Sequence, residues 1–251
     1  MTQTIALITG ANQGIGLQVA RDLAAAGVTV LIGSRDLARG EAEAREVGSA
    51  AVAMQLDVTD AVSIIAAADR VRREYGRLDV LIQNAAIASG SDHAQSGEDL
   101  AAAGRPGVIP LQDMRTIWDT NVFGVIAVYQ AMLPLLRDTS GSRIINVSSA
   151  VGSLTINSDP ASPFRAVFDA GYAVSKTALN GLTLAMAIEL EAEGVRVNAV
   201  SPGHTRTRLT GFSGTDTVEE GAAEIVRLAL LRGDEGPTGV FTHATHGVIP
   251  W

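Results

Sequence analysis

Apolar residues follow two alternating rhythms along this chain. Short, mostly apolar runs predict strands over 4–9, 28–33, 51–56, 78–83, 142–147, 195–201 and 239–241. Between them, apolar positions recur every three to four residues over 14–26, 36–47, 61–75, 114–137, 172–193 and 218–230. That spacing paints one buried face on a helix. Alternation of strand and helix predicts βαβ units, hence an α/β fold: a doubly wound sheet of about seven mainly parallel strands with helices on both faces. No linker or shift in composition divides the chain, so 1–251 reads as a single domain. Two stretches, 88–110 and 152–171, exceed an ordinary connection and are expected to be irregular insertions. Both emerge beyond the carboxyl ends of strands, where ligands bind in such sheets.

Composition narrows the partners. Hydrophobic residues make up 47%, enough for a large core, and the net charge of −8 with a pI near 5.0 argues against nucleic acid or an anionic membrane surface. The absence of cysteine excludes disulfides and thiolate metal sites. No basic segment precedes the first strand, as a signal peptide would require. No uninterrupted apolar run approaches the ~20 residues of a membrane span. These features predict a cytoplasmic location. His93, His204, His243 and His246 show no helical ligand spacing with a carboxylate, so no metal site is expected.

The first predicted strand runs into Thr9-Gly-Ala-Asn-Gln-Gly-Ile-Gly16 and then a helix. Gly10, Gly14 and Gly16 permit a tight turn and close approach of backbone to a ligand. The helix that follows aims free N–H groups and its positive dipole end at the same point, which suits a pyrophosphate. This is the arrangement of a dinucleotide site of Rossmann type, with Asn12, Gln13 and Ile15 in the loop. At the end of the second strand, Ser34 stands where an acid would accept an NAD ribose 2′-hydroxyl, and Arg35 follows. An arginine there accommodates a 2′-phosphate, so NADP(H) is preferred, with NAD(H) possible. Asp57, beside Val58 after the third strand, is placed to accept from an adenine amino group or, equally, to cap the next helix.

Among 19 basic residues, one is lysine, Lys176, leaving 18 arginines. It lies four residues after Tyr172, one of three tyrosines. On a helix that spacing puts phenol and ammonium on one face. A nearby cation favours phenolate, which is expected to lower the pKa of Tyr172 toward the range useful for acid–base work.

Thr9-Gly10-x-x-x-Gly14-x-Gly16, Asn84-Ala85, Asn121, Ser148-Ser149 and Tyr172-x-x-x-Lys176, in this order, resemble a short-chain dehydrogenase/reductase over essentially the whole chain. Finer features resemble the carbonyl-reductase branch: Gly-Ala-Asn-Gln-Gly-Ile-Gly, Ser34-Arg35-Asp36, Pro202-Gly203 and a tail ending in Trp251. The resemblance implies an NADPH-dependent reductase of a ketone or aldehyde, with a small-molecule carbonyl or alcohol substrate of apolar character. It makes Tyr172 the general acid, Lys176 its partner and a donor to the nicotinamide ribose, and Ser149 a hydrogen-bond partner of the substrate oxygen. Ser149 is chosen over Ser148 because the family's serine stands three residues before a glycine, here Gly152. Asn121 would hold a water linking Lys176 to solvent. Asn84 and Ala85 would border the cofactor, while Pro202, Gly203, Thr205 and Thr207 would grip the carboxamide. Two alternatives stay open: an NAD-dependent alcohol dehydrogenase using the same residues in reverse, and a dinucleotide sensor without turnover.

Three departures from the family pattern matter. Gln83-Asn84-Ala85-Ala86 replaces the usual Asn-Asn-Ala-Gly, adding a methyl at Ala86. Gln13 replaces a lysine common near the 2′-phosphate. Ser149 and Tyr172 lie 23 residues apart, about ten more than is usual in the resemblance. The insertion so created carries Leu154, Ile156, Phe164, Val167 and Phe168, which are expected to wall an apolar pocket. It also leaves monomer and homo-oligomer undecided.

Overall fold

β1 (Ile5–Ile8) is buried at every position because it runs down the middle of the sheet, flanked on both edges by parallel strands. The computed structural model describes residues 3–90, 101–233 and 235–251. With β2 (Thr29–Ser34), β3 (Ala51–Gln55), β4 (Val80–Gln83), β5 (Arg143–Val147), β6 (Arg196–Val200), β7 (Phe241–His243) and β8 (Gly247–Val248), the strand order is β3-β2-β1-β4-β5-β6-β7-β8. All pairings are parallel except β7 with β8. The order reverses between β1 and β4, which opens a crevice at their carboxyl ends.

Alternation along β1 assigns the two layers. Ile5 and Leu7 join a cluster with Ala67, Val71, Val128, Met132, Leu179 and Met186. Those side chains come from α3 (Ala61–Glu74), α5 (Gly124–Arg137) and α7 (Tyr172–Glu189). Ala6 and Ile8 face the other way, against Val19, Leu23, Ala44, Ile225 and Leu228. These belong to α1 (Gly14–Ala25), α2 (Leu37–Val47) and α8 (Val218–Leu230). Period-two strands thus feed both apolar layers. Helix starts are fixed locally: Asp36, Asp60 and Thr217 each accept a backbone N–H of the first turn, and Glu220 closes a capping box with Thr217.

Four expectations are corrected. The helix predicted over 114–137 is interrupted: α4 (Leu111–Trp118) passes through a π-turn, Asp119–Phe123, before α5 begins. The helix predicted over 172–193 ends at Glu189, and Glu191–Glu193 form a 3-10 turn. An eighth strand, β8, closes the sheet edge because Ile249 N donates to Phe241 O at 2.7 Å and Trp251 stacks on Phe241 at 5.6 Å. The 152–171 insertion is not irregular. It carries α6 (Leu154–Ser158), capped by Ser153, and a 3-10 turn at Pro163–Val167, capped by Ser162. Of the 88–110 insertion, 91–100 lie outside the described residues, as does His93. The helical run Leu111–Arg137 is long and apolar enough by composition to cross a bilayer, but 56% of its apolar window is buried inside the fold. That is the signature of a core helix.

Candidate active site

The glycine-rich loop between β1 and α1 is built around one side chain, Asn84. Its amide Nδ2 donates to Thr9 O at 2.9 Å and Gly10 O at 3.1 Å. In return, Thr9 Oγ1 accepts from the backbone N–H groups of Asn84 and Ala85. Gly14 sits at φ +56°, a left-handed conformation that side chains disfavour. At Gly16 a Cβ would collide with Asn84 Nδ2 and come within 3.0 Å of Gly10 O, so only glycine permits this closure. Gln13, the N-cap of α1, provides no side-chain cap. The first-turn N–H groups are therefore left for an external acceptor, the arrangement a pyrophosphate requires. Asn12, Gln13 and Ile15 lie on this loop, and Ile15 also borders the cavity described below.

At the tip of β2, Ser34 turns inward: its hydroxyl donates to Asp36 O at 2.7 Å and is buried. Arg35 is exposed, and its backbone carbonyl accepts from Gln55 Nε2 at 2.9 Å. Asp57 is not the helix cap. Its Oδ1 accepts from Thr59 N at 2.9 Å and Thr59 Oγ1 at 2.7 Å, and the cap of α3 is Asp60. Val58 follows, its carbonyl packed so close to Gly124 that a Cβ there would lie 2.7 Å away.

A cavity of about 1030 Å³ opens beside this loop. Ser149, Tyr172, Pro202, Gly203, Thr205 and Thr207 reach its wall from three different segments of the chain. Ser149 follows β5 and hydrogen-bonds the Tyr172 hydroxyl. Ser148 instead points into the core, where its hydroxyl donates to Asn180 Oδ1 at 2.6 Å. Thr205 Oγ1 donates to Pro202 O at 2.9 Å, fixing the turn after β6. Thr207 packs against Gly14, so that turn and the glycine-rich loop face each other.

Lys176 lies one helical turn after Tyr172, with 2% of its surface exposed. Its ammonium donates to Val147 O at 2.9 Å and stands 5.6 Å from the centre of the Tyr172 ring. Burial pushes this lysine down to about 7. Tyr172 is half-buried at the cavity wall, and its enclosure pushes the phenol up to about 12, against the opposing effect of the Ser149 hydrogen bond. The phenol is therefore shifted opposite to the expected direction: burial, with the charge of Asp169, raises it, and the lowering comes from Ser149.

Asn121 is engaged by neighbouring segments of the protein. It is fully buried in the π-turn, and both ends of its amide are committed to protein. Oδ1 accepts from Ile87 N at 2.9 Å, while Nδ2 donates to Ile87 O at 2.9 Å and Ser175 Oγ at 3.0 Å. The side chain therefore clamps the segment after β4 onto α7.

Of the insertion's apolar residues, Ile156, Phe164 and Val167 face the main cavity, whereas Leu154 and Phe168 line a smaller one of about 360 Å³. Sequence reasoning missed the opposite wall, made by His243, His246, Val248, Ile249 and Pro250 of the C-terminal tail. Ser153 Oγ donates to Pro250 O at 2.6 Å and Thr155 N to Trp251 O at 3.0 Å, so tail and insertion hold each other. His204 also reaches the cavity. Asp169 was missed too: it lies two residues ahead of the N-cap Gly171, outside the position where a capping side chain is sought.

Known proteins place these observations in a family. Residues 4–217 match the sequence model described as short chain dehydrogenase. The chain is 34% identical to short-chain dehydrogenase anuI of Penicillium roqueforti, covering 91% of this chain and 89% of that protein. It is 33% identical to a (+)-neomenthol dehydrogenase of Arabidopsis thaliana, covering 96% of each. The structure of salutaridine reductase from Papaver somniferum superposes with a TM-score of 0.79 at 28% identity, over 95% of this chain and 99% of that one. The chain therefore belongs to the short-chain dehydrogenase/reductase family and is an oxidoreductase of that type.

Proposed function

We propose that this protein reduces a ketone or aldehyde with NADPH, using Tyr172 as the proton donor. The observation that carries the reading is the meeting of Ser149, Tyr172 and Lys176 at one end of a largely apolar cavity beside the glycine-rich loop. The uncapped first turn of α1 and the closed glycine turn fit a dinucleotide, whose nicotinamide, when bound, supplies hydride. Gly10, Asn12, Gln13, Gly14, Ile15 and Gly16 would hold the pyrophosphate. Arg35 would meet the 2′-phosphate, with Ser34 shaping the turn beneath it, and Asp57 and Val58 would border the adenine. Asn84, Ala85, Pro202, Gly203, Thr205 and Thr207 would enclose the nicotinamide end, and Lys176 would donate to its ribose.

The chain's own chemistry is proton delivery. The Ser149 hydroxyl orients the substrate oxygen beside Tyr172, whose O–H bond breaks as the carbonyl oxygen takes the proton. A phenol held well above neutral pH stays protonated and ready. The phenolate left behind is stabilised by the Lys176 cation. Because burial brings that lysine near neutrality, it can also pass a proton inward. Asn121 serves by locking the π-turn against Ile87 and Ser175. The two insertions border the substrate, and Ile156, Phe164 and Val167 favour an apolar one. We place the reaction in the cytoplasm.

The same residues run in reverse would oxidise an alcohol, and the dehydrogenase name of the Arabidopsis relative favours keeping that direction open. A sensor without turnover has no need of the serine, tyrosine and lysine together. Turnover of a panel of apolar ketones and aldehydes with NADPH and with NADH tests the reading. Carbonyl-dependent oxidation of NADPH supports it; turnover of neither coenzyme with any substrate refutes it.

A further inference from the structure

Asp169 is a carboxylate at the site that the proposed chemistry leaves unused. It lines the cavity three residues before Tyr172, and its Oδ1 accepts from Tyr172 N at 2.6 Å while Oδ2 accepts from Ala173 N at 3.4 Å. The Gly171 N–H also bonds to it. Its carbonyl accepts from Val174 N at 3.1 Å. The side chain thus closes the free N–H groups of α7 from outside the helix, where a negative charge also complements the dipole. Among the described residues its hydrogen-bond donors are backbone groups, and no cation pairs with it.

A second contact fixes it in place. The neighbouring Ala170 N donates to Gly104 O at 2.8 Å, and a Cβ on Gly104 would lie 2.8 Å from that of Asp169. Gly171, next along, packs on Ile109 and Ile117. The described part of the 88–110 insertion is therefore docked on the three residues that lead into Tyr172.

Resting on the reading of Tyr172 as proton donor, we propose that Asp169 is a positioning residue, seating Tyr172 at the cavity and holding it in the acid form suited to reduction by a fixed neighbouring charge. A like charge disfavours phenolate. Three groups act on the phenol at close range. Burial and the charge of Asp169 raise it, the Ser149 hydrogen bond lowers it, and Lys176 lies behind the ring. His204, Asp216, Glu220, His243 and His246 also line the cavity. Asp169 differs from all of these in being bonded to the backbone of Tyr172 itself.

Asp169→Asn keeps an oxygen acceptor for the helix end while removing the charge, and Asp169→Glu keeps the charge. The test is phenolate absorbance after a rapid pH jump, read before unfolding. It needs no turnover, and with three tyrosines in the chain the Tyr172 signal is the difference from Tyr172→Phe. In Asp169→Asn, Tyr172 should ionise about half to one pH unit lower than in wild type, and Asp169→Glu should restore it. The alkaline limb of kcat/KM for carbonyl reduction should move by the same amount. Ionisation of Tyr172 at the wild-type pH in Asp169→Asn overturns the inference, whatever the activity. A shifted phenol in a protein that reduces no carbonyl would leave the Asp169 role standing and refute the proposed function instead.

Discussion

The Lys176 ammonium lies 5.6 Å from the centre of the Tyr172 ring yet spends its one recorded hydrogen bond on the carbonyl of Val147, at 2.9 Å. The strand end before Ser149 and the helix carrying Tyr172 are therefore tied by this lysine. It is a structural link as well as a charge. Arginine cannot replace it simply: a planar fork with five donors would have to enter a pocket that leaves the lysine 2% exposed.

That burial predicts a pH dependence of stability. Lys176 is pushed from 10.5 to about 7 in the folded chain. Between these values the unfolded chain binds the proton and the folded chain does not, so this residue adds stability as pH rises from about 7 to 10.5. The gain is lost progressively as pH falls from 10.5 and is gone by about 7. Tyr172 acts oppositely above 10, because the folded phenol holds its proton up to about 12 while the unfolded one releases it. Denaturant unfolding across pH 6–10, wild type against Lys176→Met, checks this: the variant should lack much of the rise.

Gly16→Ala should fail at the first step of the site. The added methyl meets Asn84 Nδ2 and Gly10 O, so either the glycine-rich loop or Asn84 must move. Overpacking of this kind costs about 1–3 kcal/mol. Thermal melting should show that loss, and NADPH titration should show binding weakened at least tenfold.

Much of this site was readable because its determinants are local. Helix α8 was predicted with its observed ends from its apolar period, and the structure adds a capping box of Thr217 and Glu220 within four residues of sequence. Ser149 lies beside the Tyr172 hydroxyl, whereas Ser148 donates to Asn180 in the core. The break at Asp119–Phe123 was not legible, since an unbroken apolar period runs through it and the turn is held by Asn121 bonding to Ile87, 34 residues away. β8 was equally invisible: Gly247 and Val248 are exposed and carry no apolar pattern, and only pairing with β7 makes them a strand. The position of the tail against α6 depends on Ser153 and Thr155 meeting Pro250 and Trp251 across 97 and 96 residues, which no local pattern records.

Arg35→Ala should separate the two coenzymes. Arg35 is exposed just past the end of β2, where its guanidinium would reach a 2′-phosphate. Loss of a charge-assisted contact of this kind is worth about 1.5–3 kcal/mol, or roughly 10- to 150-fold in Kd. Fluorescence titration should show that loss for NADPH and little change for NADH.

Trp251→Ala should act on substrate rather than coenzyme. The indole stacks on Phe241 at 5.6 Å and anchors the tail that supplies Val248, Ile249 and Pro250 to the cavity. Without that anchor the wall loosens. KM for an apolar ketone should rise about tenfold with NADPH affinity unchanged, as steady-state kinetics and titration together would show.

The most direct measurement compares Tyr172→Phe with wild type in two assays: NADPH oxidation driven by a ketone the wild type accepts, and NADPH binding. The account predicts kcat lowered by about 10²–10⁴-fold, the share a positioned general acid contributes, with Kd for NADPH within a few-fold of wild type. A phenylalanine variant that turns over at the wild-type rate would contradict it, because the proton would then come from somewhere other than Tyr172.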